Sequence, residues 1–214
     1  MIPVKPQPEP DDFDTLVRLP GNKFLRRLTL ANVKPTNKEW NNHDHWKHIR
    51  RPLWKAYNGI CAYSAQWINP LSYPNVDHFI PKSVKPELAY EWSNYRLACP
   101  HANNLKKDYQ DILDPFEVKK DWFFLDFSTL MVIPNPNLPV QLQQQIQITI
   151  DRLAVNESLA HVDARSEWLK QYCIGNATFS GLERYAPFIA YELERQGLVE
   201  TIKTMMKFER NEED

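Results

Sequence analysis

Pro134, Pro136 and Pro139 divide the sequence more sharply than any other feature. Proline fixes φ and removes a backbone donor, so Ile-Pro-Asn-Pro-Asn-Leu-Pro can continue neither a strand nor a helix. The hydrophobic period changes across it. Before it, 122–127 is an aromatic, strand-like run with a partner expected around 130–133. After it, Leu142, Ile146, Ile150 and Leu153 make one helical stripe. Leu159, Val162, Leu169 and Cys173 make another, with Asn156 as its expected N-cap. Helical segments follow around 187–196 and 198–208, and then an acidic end, Glu-Arg-Asn-Glu-Glu-Asp. The expectation is an α+β chain with an N-terminal arm over 1–22, a core over 23–133 and a helical region over 134–214.

With 214 residues, 43% of them hydrophobic and 25% charged, the chain can bury a substantial core. No apolar run reaches the length of a bilayer span, and Met-Ile-Pro-Val-Lys-Pro lacks the regions of a signal peptide, so a cytoplasmic protein without membrane partners is expected. Cys61, Cys99 and Cys173 are too few and too spread for a disulfide framework. Four prolines within 1–10 keep that segment extended.

A formal net charge of −1 excludes nucleic-acid binding through global charge, so any such binding needs a local patch. One exists over 23–55, where nine Lys or Arg stand against Glu39 and Asp44. An excess of this kind is what phosphate binding requires, although it also suits a solvated helix face. Trp46, Ile49, Leu53, Trp54 and Tyr57 recur at helical spacing, so the patch rides on a packed helix that Asn58-Gly59 ends. His43, His45 and His48 do not share a helix face, and their spacing argues for surface or phosphate-facing histidines rather than a metal site.

The chemistry lies in Asn75-Val76-Asp77-His78-Phe79-Ile80-Pro81-Lys82-Ser83, then Asn94-Tyr95-Arg96-Leu97, then Asn103-Asn104-Leu105-Lys106-Lys107-Asp108. Phosphodiester hydrolysis needs a base, a cation to absorb developing charge, and a rigid frame. His78 suits the base, because neutral imidazole titrates closest to working pH. Asp77 and Asn103 offer a carboxylate and an amide oxygen to a divalent cation that keeps open positions. Asn94 suits pinning the loop between two strands. Cys99-Pro100 reads as a helix start, which places Asn103 in its opening turn. Lys82, Arg96, Lys106 and Lys107 are candidate phosphate contacts, as are Arg50 and Arg51 from the basic segment.

At these residues the sequence resembles the HNH endonuclease family. Val76-Asp77-His78-Phe79-Ile80-Pro81-Lys82-Ser83 is similar to its first motif, Asn94-Tyr95-Arg96-Leu97 to its middle strand, and Asn103-x-x-Lys106 to its third. The resemblance implies a ββα-metal core over about 59–116, with His78 as general base, Asn94 as the structural Asn of the catalytic set, and Asp77 and Asn103 as ligands of one Mg²⁺ or Mn²⁺. Many members carry paired Cys-x-x-Cys knuckles for structural zinc. Here those places read Cys61-x-x-Ser64 and Cys99-x-x-Ala102, so no structural zinc is expected and aromatic packing from Tyr63, Trp67 and 122–127 takes its place.

A narrower resemblance rests on Lys5-Pro6-Gln7-Pro8, Phe13, Pro20-Gly21, Cys61-Ala62-Tyr63-Ser64, Ala89-Tyr90-Glu91-Trp92 and Asp114-Pro115-Phe116-Glu117-Val118. These are similar to the bacterial HNH proteins of Septu-type anti-phage systems, which also occur with retrons. That resemblance implies an effector nuclease, cutting DNA or RNA, beside an ATPase of the ABC or SMC-like class. The arm and the helices after Pro139 would be docking surfaces. The alternative is a non-catalytic nucleic-acid-binding or assembly subunit on the same frame, against which an intact Asp77, His78 and Asn103 weigh.

Overall fold

The computed structural model describes residues 1–206. The last two positions of the expected 198–208 helix, and the acidic end, lie outside them. The chain is α+β and divides into two compact units, one of Lys5–Ile60 with Ile68–Gln110 and the other of Met1–Val4, Cys61–Trp67 and the chain from Asp111 onward. Among the described residues no helix is long and apolar enough to cross a membrane.

The first unit contains α1 (Leu19–Leu30), α2 (Asn37–Asn42), α3 (Arg50–Ala56), β1 (Asn75–His78), β2 (Tyr95–Ala98) and α4 (Pro100–Lys106). The extended part of the arm is shorter than 1–22, because a π-helical turn at Asp14–Arg18 leads directly into α1. Pro20 follows that wider turn, in which the Leu19 N–H bonds the Asp14 carbonyl, and lies in the first turn of α1. The Trp92 indole donates to the Gln7 carbonyl at 2.7 Å and holds the extended segment down. Inward from α1 come Gly21, Phe24 and Leu28. Gly21 is required by close approach, since a Cβ there would stand 2.1 Å from the Tyr90 ring. Tyr90 in turn donates its hydroxyl to the His43 carbonyl at 2.8 Å.

A 3-10 turn, His45–Ile49, runs into α3, and Asn58 and Gly59 follow with φ of 52° and 70°, the stop that the sequence suggests. β1 and β2 pair antiparallel, Asp77 opposite Arg96 and His78 opposite Tyr95. All four residues of β2 are buried, so this ribbon is covered on both faces. Strand, loop, strand and helix therefore follow in the expected order. Pro100 begins α4, and the Cys99 Sγ accepts from the Ala102 N–H at 3.4 Å.

The second unit holds β3 (Phe123–Asp126), β4 (Met131–Pro134), α5 (Val140–Arg152), α6 (Leu159–Cys173), α7 (Phe179–Tyr185), α8 (Pro187–Arg195) and α9 (Ile202–Met205). The proline cluster lies inside this unit, whereas the break in contacts falls at 110–111. Asn135 explains the difference: its N–H donates to the Trp122 carbonyl at 3.0 Å and its side chain to the Asp121 carbonyl at 2.8 Å. The segment that cannot extend β4 is thereby turned straight into α5. Asn156 does not cap α6, which starts after Ser158. It instead accepts from the Val132 N–H at 2.9 Å and donates to the Val132 carbonyl at 2.8 Å, acting as a one-residue strand along β4. Glu192 and Gln196 do the same for Leu125 of β3, each at 2.8 Å. Side chains thus occupy both edges of a two-stranded sheet that would otherwise present unpaired backbone. α7 is not among the segments that the helical spacing predicts; its one local signal is Thr178, which accepts from the Gly181 N–H.

Candidate active site

Neighbours on a strand point to opposite faces, yet Asp77 and His78 both line one open cleft of about 620 Å³ in the first unit. Asn103 lines it too, brought there by the first turn of α4. His78 is nearly buried, with Trp46 edge-on at 4.7 Å and Tyr95 at 5.2 Å. Its Nε2 lies 2.9 Å from the Ala89 carbonyl. A carbonyl only accepts, so Nε2 carries the proton and the lone pair belongs to Nδ1. The Tyr95 hydroxyl donates to the same carbonyl at 2.7 Å. Burial first, then the charge of Lys82, pushes the His78 imidazole down to about 3, although the Ala89 hydrogen bond opposes the shift. The ring is neutral at physiological pH, the form that can take a proton.

Lys106 is fully buried. Its ammonium donates to the His78 carbonyl at 2.9 Å and stands 3.3 Å from the Asp77 carboxylate. It therefore cannot be the phosphate contact that its charge suggested; it anchors β1 to α4. The same correction applies to Arg96. Buried on β2, Arg96 donates to the Ser93 and Tyr95 carbonyls at 2.8 and 2.9 Å, with its guanidinium over the Phe79 ring at 5.2 Å. Sequence supplies a residue's charge but not its burial, and both side chains are long enough to turn inward.

Asn94 staples the loop that joins the strands. Its Oδ1 accepts from the Ile80 N–H at 2.8 Å, and its Nδ2 donates to the Ile80 and Leu88 carbonyls at 3.0 and 3.1 Å. That loop carries Ala89, so Asn94 supports the partner of His78 without itself lining the cleft.

The remaining cations separate by position. Lys82, Lys107 and Arg50 line the cleft together with Lys34, whose sequence signal is only its place in the basic stretch. Lys82 lies over the rings of Trp40 and Trp46 at 5.9 and 5.3 Å, and burial lowers its pKa while Asp77 opposes that. Among the described residues the buried Arg50 Nε has no hydrogen-bond partner. Arg51, one residue on, lines a different groove with Pro8, Pro10 and Lys55. Of the three upstream histidines, His43 stacks on Phe24 at 3.9 Å and its Nδ1 lies 2.8 Å from the Glu39 carbonyl, so it is packed rather than ligand-facing.

Among the described residues no three His, Cys, Asp or Glu side chains converge to form a metal cage. The Asp77 carboxylate and the Asn103 amide line the same cleft and would offer a sparser, all-oxygen set of the kind that suits a hard divalent cation keeping most of its waters. Cys99 is occupied at the start of α4, and Cys61 is buried in the other unit. Tyr63, Trp67 and the aromatics of β3 also belong to that other unit. The aromatic frame of the cleft is instead Trp40, Trp46, Tyr90 and Tyr95. Trp46 was legible only as one position of a helical stripe, and the Ala89 carbonyl carries no sequence signal.

No protein-family model matches the chain, and no curated protein sequence matches it. Lys106 provides a direct check of the geometry. Replacing it with Met leaves Asp77 buried without its cation, and removing one partner of a buried pair costs about 3–5 kcal/mol. Urea unfolding of Lys106→Met should show a loss of that size. A change under about 1 kcal/mol would mean that Asp77 does not depend on Lys106.

Proposed function

We propose that the first unit is a ββα-metal nuclease of the HNH type, hydrolysing phosphodiester bonds in DNA or RNA. The carrying observation is the state of His78. Its Nε2–H is tied to the Ala89 carbonyl, its Nδ1 is left as a base, and it lies in a cation-rimmed cleft shared with Asp77 and Asn103. Asp77 and Asn103 would hold one Mg²⁺ or Mn²⁺, which supplies Lewis-acid stabilisation of charge on the phosphoryl and leaving 3′ oxygens. His78 takes a proton from water at Nδ1 as that water attacks phosphorus. The Ala89 carbonyl, held in place by Asn94, fixes the ring for this and is ready to stabilise the imidazolium that results. Lys82, Arg50 and Lys34 draw the substrate backbone in. They carry no base-reading pattern, so cleavage has weak sequence preference.

A non-catalytic binder has no use for a neutral imidazole held by a second residue beside a carboxylate. His78→Ala should lower magnesium- or manganese-dependent cleavage by about 10²–10⁴-fold, with circular dichroism showing a folded chain. Cleavage at the wild-type rate by that folded variant would remove His78 from its role.

The two adjacent arginines separate local from general charge. Arg50→Glu should weaken oligonucleotide binding and flatten its salt dependence, whereas Arg51→Glu should leave the slope as it is. Equal effects would mean that binding does not run through the cleft.

The resemblance to Septu-type proteins supports a further part of the reading: an effector nuclease beside an ABC or SMC-like ATPase. In the second unit Val140, which opens α5, and Leu159, which opens α6, are exposed on the helices after Pro139, where docking would lie. Co-expression with an ATPase encoded next to it should give one complex on gel filtration. Separate elution of the two chains would end the pairing.

A further inference from the structure

The chain turns sharply just past α4. Lys107 has φ 50° and ψ −129°, and the Tyr109 N–H donates to the Lys106 carbonyl at 3.2 Å. A hydrogen bond closing four residues, with those dihedrals at the first central position, describes a type II′ turn. That position belongs to glycine, because a side chain there crowds the neighbouring carbonyl. Asn32, Asn58, Ala65, Tyr73, Asp121, Leu130 and Ala154 also have positive φ, and Tyr73, with ψ 79°, is in the ordinary left-handed region; Lys107, with ψ −129°, is instead in the region that the first central position of a type II′ turn reserves for glycine.

Nothing within the fold rewards the lysine. Lys107 is exposed, and among the described residues its ammonium has no hydrogen-bond or ion-pair partner. What the position does provide is a place on the cleft, four residues beyond Asn103, where Asn104 and Asp108 also line it. Backbone strain retained without a structural return, at the edge of a site, points to a ligand.

We propose that Lys107 grips a backbone phosphate next to the one being cut, and that the chain keeps a strained turn in order to present that ammonium. The inference rests on the nuclease reading and sharpens it. The substrate it implies is a polynucleotide strand that extends past the scissile bond toward the end of α4, rather than an isolated phosphodiester.

Three variants of the full chain test it, with binding to a short DNA duplex and to a single-stranded RNA measured in calcium. Lys107→Gly relieves the strain and removes the charge: its urea midpoint should rise above wild type, its affinity should fall on the order of tenfold, and its log K against log salt slope should shrink by about one. Lys107→Ala should lose the same affinity with no gain in midpoint. Lys107→Arg should keep both affinity and slope. A Lys107→Gly chain that binds with wild-type affinity and slope overturns the phosphate contact, and one whose midpoint does not rise overturns the strain. In either case wild-type cleavage that falls by about 10²–10⁴-fold in His78→Ala leaves the nuclease reading standing. A wild-type chain that binds neither probe overturns both.

Discussion

One buried ammonium sets the geometry of the candidate site. Lys106 reaches back from the last turn of α4 to the Asp77 carboxylate and the His78 carbonyl, so a single side chain fixes β1 against the helix that carries Asn103. A carboxylate 5% exposed would be costly without a cation, and a lysine that is fully buried would be costly without an anion. Each makes the other's burial tolerable. The consequence for function is pre-organisation: Asp77 is positioned before any ligand arrives, and the strand and helix cannot slide without separating the pair.

A second layer of polar groups orients His78. The Asn94 side chain bonds three backbone groups of the connecting loop, and that loop supplies the Ala89 carbonyl to which both His78 and Tyr95 bind. Paired knuckles of thiolates around a metal could perform the same bracing. Here an aromatic cluster performs it, with Tyr90 packed onto Gly21 and Trp46 edge-on to His78. Packing of this kind tolerates little change in volume, which makes a glycine in α1 part of the support of a residue fifty-seven positions away in the sequence.

Much of this architecture was legible because it is periodic or locally encoded. Motif order marked β1 and β2, an aromatic strand-like run marked β3 with β4 as its partner, helical spacing marked α5 and α6, and Pro100 marked the start of α4. What failed depends on through-space facts. Arg96 and Lys106 look like phosphate contacts from charge alone, and only burial shows their ammonium and guanidinium groups spent on backbone and on Asp77. Asn156 has the composition of a cap, yet β4 offers it a free edge of backbone, a stronger claim than a helix start two residues on. The proline cluster does break secondary structure, but a break in period need not separate two cores. Asn135 turns the chain there within one unit.

Counting only the cations that the cleft can present changes the expected strength of binding. The basic stretch over 23–55 holds nine Lys or Arg, but of these only Lys34 and Arg50 line the cleft, joined there by Lys82 and Lys107. Each neutralised phosphate contributes about 0.9 to the salt slope, so four cations give a modest dependence and modest affinity. Opposing them, a net charge of −1 over the whole chain provides no long-range attraction to a polyanion. Under the proposed nuclease function, a cleft with so few cations needs its substrate delivered, and that is the physical reason we propose a nucleic-acid-handling partner beside it.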